Sequence, residues 1–203
     1  RVPLGGRKVR GFVTHVREEA DPTGLKDVSA VVGDYPVFTP RLLETLRWAS
    51  IHYVAPMAAL LAKAAPPNVA RRQSGQAMQP RIGPSSPLPD ATAAAASGRH
   101  LRAHYLVGGA PSADTLAGLT AEVVAAGRNA AIIAPTVAEA QAIATSVGAR
   151  LGIGPRVATS SNPAREVTRA WVAAEASPGQ LVVGTREVAF WPLGVPGLVV
   201  VVE

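Results

Sequence analysis

The feature that most constrains the fold is the alternation of apolar runs with helical segments over residues 104–203. The runs are apolar throughout, without the polar alternation of a strand that has one face in water. Strands of this kind, separated by helices, are typical of a parallel sheet covered on both faces. The predicted strands are HYLVG at 104–108, NAAIIAP at 129–135, a short run at 156–159, LVVGT at 181–185 and GLVVVV at 197–202. The predicted helices cover residues 115–126, 137–151 and 163–174.

The first third of the chain has a different pattern. Residues 9–17 alternate apolar and polar side chains, and residues 25–33 are rich in β-branched ones, so both predict strands of a small antiparallel sheet or barrel. Thr39 followed by Pro40 predicts a helix with Thr39 as its N-cap. A second helix is predicted from Pro56 to Ala65, before two prolines.

Between these parts lies a segment that mixes Pro, Ser, Gly, Gln and Ala without a period. Large apolar side chains are rare in it, which is the composition of a linker, although composition leaves open whether the linker is ordered. We therefore predict a first domain at 1–68, a linker at 69–103 and an α/β domain at 104–203.

The formal charge of +6 is unevenly placed. Residues 1–72 carry eleven Lys or Arg against six Asp or Glu, whereas residues 104–203 carry six against seven. This asymmetry favours a polyanion-binding module attached to a near-neutral domain, with a generic basic surface as the alternative. The chain has no cysteine, no apolar run near the roughly 20 residues that span a bilayer, and no initiating Met. We expect a piece of a longer, soluble intracellular protein.

The turn at 106–115 (LVGGAPSADT) stands where a P-loop, GxxxxGK[ST], would join a strand to a helix. In a working P-loop, backbone N–H groups and a lysine surround the phosphates, and the Ser/Thr hydroxyl holds magnesium. Gly108, Ser112 and Thr115 match this pattern, but an alanine replaces the second glycine and Asp114 replaces the lysine. A unit charge about 4–5 Å from a phosphate interacts with it by roughly 3–4 kcal/mol at an effective dielectric near 20. This interaction is attractive for the lysine of a P-loop and repulsive for Asp114. A plain turn with Ser112 or Asp114 as N-cap is the alternative.

The run at 197–203 (GLVVVVE) stands where a Walker B strand would end in an aspartate. Val202 takes the place of that aspartate, and Glu203 takes the place of the glutamate that polarises the attacking water. A glutamate without the magnesium and phosphate ligands has little to act on, because phosphoryl transfer relies on positioning and charge neutralisation. The sequence thus predicts no catalytic residue, but a degenerate nucleotide site at Gly108, Ser112, Asp114, Thr115 and Glu203.

Aromatic side chains at the end of the first predicted helix, Trp48, His52 and Tyr53, raise the question of base stacking. Their helical spacing beside Leu42 and Leu46 favours the core or its margin instead. The four histidines are scattered without the spacing of metal ligands, so we predict no metal site.

Three of these stretches resemble the primosomal protein N′ family, the PriA-type DNA helicases of replication restart. Residues 1–13 (RVPLGGRKVRGFV) are similar to its RVxVPFGxxxxxGxV segment, and residues 25–66 are similar to its segment beginning LKxVxxVLDxxPVF. Residues 182–203 (VVGTREVAFWPLGVPGLVVVVE) are similar to IVxGTRSxxFxPxxNLGLIIVDEEH. The family has GxTGSGKT where this chain has GGAPSADT, so the chain resembles a member with degenerate motifs.

The resemblance implies an α+β 3′ DNA-binding domain, a small β-rich module with two helices, joined by a linker to an α/β RecA-like P-loop helicase lobe. It implies that the first domain captures the 3′ end of a nascent strand at a stalled fork. The glycine of the family's turn matches Gly5 and its pocket lysine matches Lys26, and these types suit a nucleotide against the backbone and a phosphate. A solvated strand lysine is the alternative for Lys26. We expect further phosphate contacts from Arg1, Arg7, Lys8 and Arg10.

The chain also keeps the family's GTR motif at 184–186, which lies along the DNA strand in related motors. Its presence is compatible with a DNA contact and also with the geometry of a strand end.

We therefore expect a scaffold of replication restart that binds branched or single-stranded DNA with a 3′ end. Its expected partners are other primosome proteins, single-stranded DNA-binding protein and the replicative helicase or its loader, in the bacterial cytoplasm at the nucleoid and without a membrane. The degenerate site argues against ATP and magnesium as cofactors, and the family's zinc-binding cysteines would lie beyond Glu203. An active ATP-dependent 3′→5′ helicase is the rival interpretation. A dinucleotide-binding oxidoreductase is disfavoured, because GxGxxG and an acid after the next strand are missing.

Overall fold

The structure is a computed structural model that describes every residue except 17, 19–22, 25–26, 34–35, 72 and 107. Its elements in chain order are β1 (Val2–Leu4), β2 (Arg7–Val9), α1 (Pro40–His52), α2 (Met57–Ala64), α3 (Pro89–Ala96), α4 (Ala113–Ala125), β3 (Asn129–Ile133), α5 (Val137–Leu151), β4 (Arg156–Ala158), α6 (Ala164–Ala176), β5 (Leu181–Gly184), a 3-10 helix (Arg186–Phe190) and β6 (Pro196–Val201). No helix in the described part of the chain is long and apolar enough to cross a membrane.

The chain opens with a tight antiparallel hairpin of β1 and β2, in which Val2 pairs with Val9. Gly5 and Gly6 form its two-residue turn, with φ angles of +54° and +77°. Two consecutive residues with positive φ are what a turn matching the right-handed twist of the strands requires, and glycine adopts them without strain.

Both strands predicted in this region are wrong. The strand at 9–17 is confined to β2, since residues 10–16 are irregular, and residues 27–33 of the second contain no strand. The Gly5–Gly6 turn pairs β2 with β1 only as far as Val9. An alternating sequence pattern does not form a strand without a hydrogen-bonded neighbouring strand. Residues 25–26 lie outside the described residues.

The two predicted helices are confirmed as α1 and α2. The Leu42 N–H donates to Thr39 Oγ1 at 3.2 Å, so Thr39 caps α1, and Pro40 begins it. The helix α2 follows Pro56 and ends before the two prolines. The two helices bury a shared cluster that includes Phe38, Leu46, Leu61, Ala64 and Ala65.

The predicted parallel sheet covered on both faces is also confirmed. Its strand order is β4-β5-β3-β6, and every pair is parallel. On one face Ile132 and Val183 pack with Leu116 and Val147, from α4 and α5. On the other face a second cluster surrounds Trp171 of α6. Successive residues of β3 and β5 enter opposite clusters, which is why these strands are apolar throughout.

The strand predicted at 104–108 is wrong. Residues 101–106 are irregular, Val107 lies outside the described residues, and Leu106 is 96% exposed. An apolar run becomes a strand only when its backbone pairs with a sheet edge, and in the described part of the chain residues 101–106 make no backbone hydrogen bond. Among the described residues, β6 is therefore an edge strand of the sheet.

The segment at 69–103, predicted to be a linker, includes the helix α3 and packs on the α/β part. The Met78 N–H donates to the Gly179 carbonyl at 2.9 Å, and the Arg81 N–H donates to the Leu151 carbonyl at 2.8 Å. The helix α3 buries Ala94 and Ala95. Small side chains and backbone hydrogen bonds make this packing, so it leaves no periodic pattern of large apolar residues in the sequence.

Candidate nucleic-acid interface

The tip of the first hairpin is open. Gly5 and Gly6 are exposed, and a Cβ placed on either would meet no atom within 4 Å. A ligand can therefore reach the backbone of the turn directly, as predicted for Gly5 from the residue type. A side chain at Gly5 would be unfavourable because the backbone there has a positive φ, and not because of steric contacts.

The cations next to the turn are exposed and unpaired. Arg7 lies opposite Leu4 and Lys8 lies opposite Pro3 in the register of the hairpin, so their side chains point to opposite faces. Among the residues that the structure describes, neither forms an ion pair or a side-chain hydrogen bond. Both charges are thus available to an anion beside the tip.

Arg10 is held within the protein instead. Its guanidinium donates to the Pro66 carbonyl at 3.0 Å and to the Pro67 carbonyl at 2.9 Å, and it lies 5.0 Å from the centroid of the Phe12 ring. Phe12 in turn packs edge-on against Phe38. Arg10 therefore fastens the hairpin to the end of α2, and two of its five N–H donors are used in doing so.

The two remaining residues predicted to bind DNA are Arg1, which precedes β1, and Lys26. Arg1 is exposed, and its carbonyl accepts a hydrogen bond from the Ser29 N–H at 3.0 Å. This places the exposed run 27–33 beside the start of β1. Lys26 lies outside the described residues, so its pocket role stays a prediction.

The predicted nucleotide site is a helix start that the protein caps itself. Ser112 is the N-cap of α4, and its Oγ accepts from the Thr115 N–H at 3.1 Å. The hydroxyls of Ser112 and Thr115 also lie 3.0 Å apart. Asp114 pairs with Arg150 at 3.1 Å, with both side chains more than half exposed. The alternative in which Ser112 is a cap is therefore confirmed, and Gly108 lies in the irregular turn before α4.

Glu203 is exposed just beyond β6, and the Val202 N–H donates to the Ile133 carbonyl at 2.9 Å. That hydrogen bond extends the sheet by one step. In the described part of the chain, no group of three or more His, Cys, Asp or Glu side chains is placed to hold a metal ion.

The GTR motif ends β5 and begins the 3-10 helix. A Cβ on Gly184 would clash with the Ala158 carbonyl, so packing alone requires this glycine. The Thr185 hydroxyl donates to the Glu187 carboxylate at 2.8 Å, and Lys63 of α2 pairs with the same carboxylate at 2.9 Å. Partial burial raises the pKa of Glu187, but these hydrogen bonds and the Lys63 charge bring the pKa below its ordinary value.

A cleft of about 320 Å³ lies beside this ion pair, between α2, the carboxyl end of β4, the start of α6 and the 3-10 helix. Thr159, Ser160 and Asn162 line it, and the Thr159 hydroxyl donates to the Asn162 side-chain oxygen at 2.6 Å. Hydroxyl and amide groups of this kind suit a sugar-phosphate backbone, so the cleft extends the candidate interface towards the GTR motif.

Trp48, His52 and Tyr53 lie at the surface, and their predicted place in the core or at its margin is wrong. Trp48 is 57% exposed and Tyr53 is 67% exposed. The signal was present in the spacing: the buried stripe of α1 contains Leu46 and Ala49, and residue 48 lies well off that stripe.

Comparison with known proteins gives the family. Residues 1–66 match the family described as the 3′DNA-binding domain (3′BD). The chain is also 31% identical over 215 aligned residues to proteins named probable replication restart protein PriA, from Mycobacterium tuberculosis and Mycobacterium bovis. The alignments cover 99% of this chain and 33% of each relative, so the chain spans about a third of the length of the curated relatives it matches. Residues 1–66 are thus a 3′ DNA-binding domain, and almost the whole chain is similar to PriA-type replication restart proteins.

Proposed function

We propose that this chain is the DNA-binding platform of a replication-restart protein and that the hairpin is its primary contact. The observation that carries the proposal is the tip of the hairpin, where Gly5 is open and Arg7 and Lys8 are exposed without partners among the described residues. This tip lies within the segment that matches the 3′ DNA-binding domain. A strand end placed against Gly5 would have its phosphates beside both cations.

The ligand is branched or single-stranded DNA with a free 3′ end. Lys26 neutralises a phosphate in the end-binding pocket, Arg1, Arg7 and Lys8 add contacts to the backbone, and Arg10 holds the hairpin in place. The first domain extends over residues 1–68, and the α/β part at 104–203 is a RecA-like lobe. That lobe serves the architecture, further DNA contact and the docking of partners.

The platform works without unwinding DNA. Ser112 already accepts the N–H of Thr115, and Asp114 is paired with Arg150. A phosphate at the start of α4 would have to displace the Ser112 hydroxyl from that N–H and would be repelled by the negative charge of Asp114. The role that remains is assembly: DNA binding in the cytoplasm, followed by recruitment of primosome proteins, single-stranded DNA-binding protein and the replicative helicase loader.

The rival function is an ATP-dependent 3′→5′ helicase. The parallel sheet favours it, because that sheet carries the GTR motif at the end of β5 and leaves the outer edge of β6 open to a further strand. A helicase with this chain would need phosphate and metal ligands from outside the usual positions.

The test measures DNA binding and ATP hydrolysis in the same samples, with a fork that carries a free 3′ hydroxyl and a matched fork capped by a 3′ phosphate. We expect tighter binding to the free end, loss of that preference in Lys26→Glu, and no magnesium-dependent turnover above buffer. Equal binding of both forks by the unchanged chain and by Lys26→Glu would refute the pocket. Clear turnover would establish the helicase.

The same titrations separate the hairpin cations from the pocket. Removing two phosphate contacts on a single strand lowers the slope of log K against log salt by about 1.4. We expect this change for the double variant Arg7→Ala/Lys8→Ala. An Arg165→Ala/Arg169→Ala variant, which removes two cations of α6, is the matched control.

A further inference from the structure

The end of α1 carries an exposed aromatic cluster, formed by Trp48, His52 and Tyr53, which we name the aromatic platform. The rings of Trp48 and His52 are stacked, with centroids 4.7 Å apart and an interplanar angle of 13°. Tyr53 stands edge-on to both, at 6.1 Å from Trp48 and 4.8 Å from His52. The three rings form a preformed group that needs no rearrangement to receive another flat ring.

The platform makes no contribution to the core of the domain. The buried face of α1 consists of Leu46 and Ala49, with Leu42 and Leu43 partly buried beside them. Trp48 and its neighbours lie on the other side, together with the exposed Ile51 and Val54. Val54 has a φ of +50°, an unfavourable conformation for a β-branched residue. Exposed apolar side chains that do not stabilise the fold mark an interaction surface.

We propose that the aromatic platform stacks with the bases of single-stranded DNA, as a contact separate from the hairpin. A base laid on the exposed ring continues the Trp48–His52 stack, and stacking is indifferent to sequence because every base has a π face. The platform thus holds unpaired bases of the strand and does not require a 3′ hydroxyl. The proposal goes beyond recognition of the 3′ end and shares with the proposed function only the class of ligand.

Charge favours a nucleic acid over an apolar protein partner. From Thr45 to Ala65, a stretch that includes the whole platform, the sequence contains Arg47 and Lys63 but no Asp or Glu, and Lys63 is paired with Glu187. On α1 itself the exposed charges are Arg41, Glu44 and Arg47. A ligand with flat apolar rings and a negative backbone complements both properties of this surface.

The test follows the tryptophan emission of the 203-residue chain during titration with a thymidine 12-mer that carries a 3′ phosphate. Trp48 is exposed, whereas Trp171 is buried and Trp191 lines the cleft, so only the part of the quenching that is lost in Trp48→Ala reports on the platform. The control ligand is an abasic strand of the same length and charge. We expect quenching by the thymidine strand, and binding of the abasic strand that is about ten- to a hundredfold weaker.

The variants decide whether the platform is responsible. We expect Trp48→Ala to weaken binding of the thymidine strand about tenfold or more, measured by anisotropy of a labelled strand, and Trp48→Phe to keep most of the affinity. Tyr105→Ala removes an exposed aromatic ring outside the platform and is the matched control. Circular dichroism verifies that each variant is folded.

Equal binding of the abasic and thymidine strands would overturn the proposal, since only phosphates would then be bound. So would unchanged affinity of Trp48→Ala, which is the result expected if the platform is a protein interface. A failure of 3′-end recognition would not affect these titrations, because the capped strand offers no free 3′ hydroxyl.

Discussion

Neighbouring cations of the hairpin have different tasks, because their side chains have different partners. Arg7 and Lys8 are exposed with none in the described part of the chain. Arg10 donates to the carbonyls of Pro66 and Pro67, just after α2, and lies over the Phe12 ring. The guanidinium therefore holds the segment after α2 against the hairpin.

We expect Arg10→Ala to lower the free energy of unfolding by about 1–2 kcal/mol, because it removes two hydrogen bonds from a charged donor and a cation–π contact. Arg7→Ala removes a cation of the same type from the same hairpin without a packing partner, and should change stability by less than about 0.5 kcal/mol. Urea denaturation of both variants measures the difference. If the two variants had equal stabilities, Arg10 would be a surface charge like its neighbours.

The helix α4 shows how the segment at 69–103 is held to the α/β part. A Cβ on Gly118 would lie 2.7 Å from the Ser85 carbonyl oxygen and 3.0 Å from the Pro84 carbonyl oxygen. Both are backbone atoms, which cannot move aside as the end of a flexible side chain can. The glycine in the middle of α4 is therefore the point at which residues 84–85 cross the helix.

We expect Gly118→Ala to lower the free energy of unfolding by about 1–2 kcal/mol, although alanine at an open helix position would add roughly 1 kcal/mol. The sign of the change is the test, measured by thermal or urea denaturation. Gly154→Ala is the control, because a Cβ there meets no atom within 4 Å and the backbone angle is ordinary. A stabilised Gly118→Ala variant would mean that residues 84–85 are not packed on α4.

The elements that could be predicted from the sequence are those whose signals are local. Thr39 and Pro40 mark the start of α1 by capping chemistry, and the apolar runs of β3 and β5 report burial on both faces. The hairpin and the run at 104–108 depend on which backbone lies alongside, which neighbouring residues do not encode. The core was predicted for Trp48 from its nearness in sequence to Leu42 and Leu46, although Trp48 lies about 160° from Leu46 around a helix of about 100° per residue.

At the scale of the whole molecule, α2 joins the DNA-binding domain to the α/β part through both apolar and polar contacts. The buried Trp171 indole donates to the Ala64 carbonyl at 2.8 Å, and the Asn68 N–H donates to the Thr168 hydroxyl at 3.1 Å. Phe190 of the 3-10 helix packs on the cluster of α1 and α2. These contacts fix the hairpin and the cleft relative to each other.

The pair formed by Lys63 and Glu187 makes this junction sensitive to pH. Because the pKa of Glu187 is lowered in the folded protein, the ion pair stabilises the fold at pH values above the pKa of this carboxyl in the unfolded chain. That contribution is lost as the pH falls through the pKa of the folded state.

The ion pair of Lys63 and Glu187 is partly exposed, so we expect Glu187→Gln to reduce stability by about 0.5–1 kcal/mol at neutral pH. The difference from the unchanged chain should then vanish in acid. Urea titrations from pH 7 to pH 3 measure it, with Glu44→Gln as the control for an exposed carboxylate without an ion-pair partner among the described residues. A difference that stayed constant over this range would assign the effect of Glu187→Gln to its hydrogen bond with Thr185 and not to its charge.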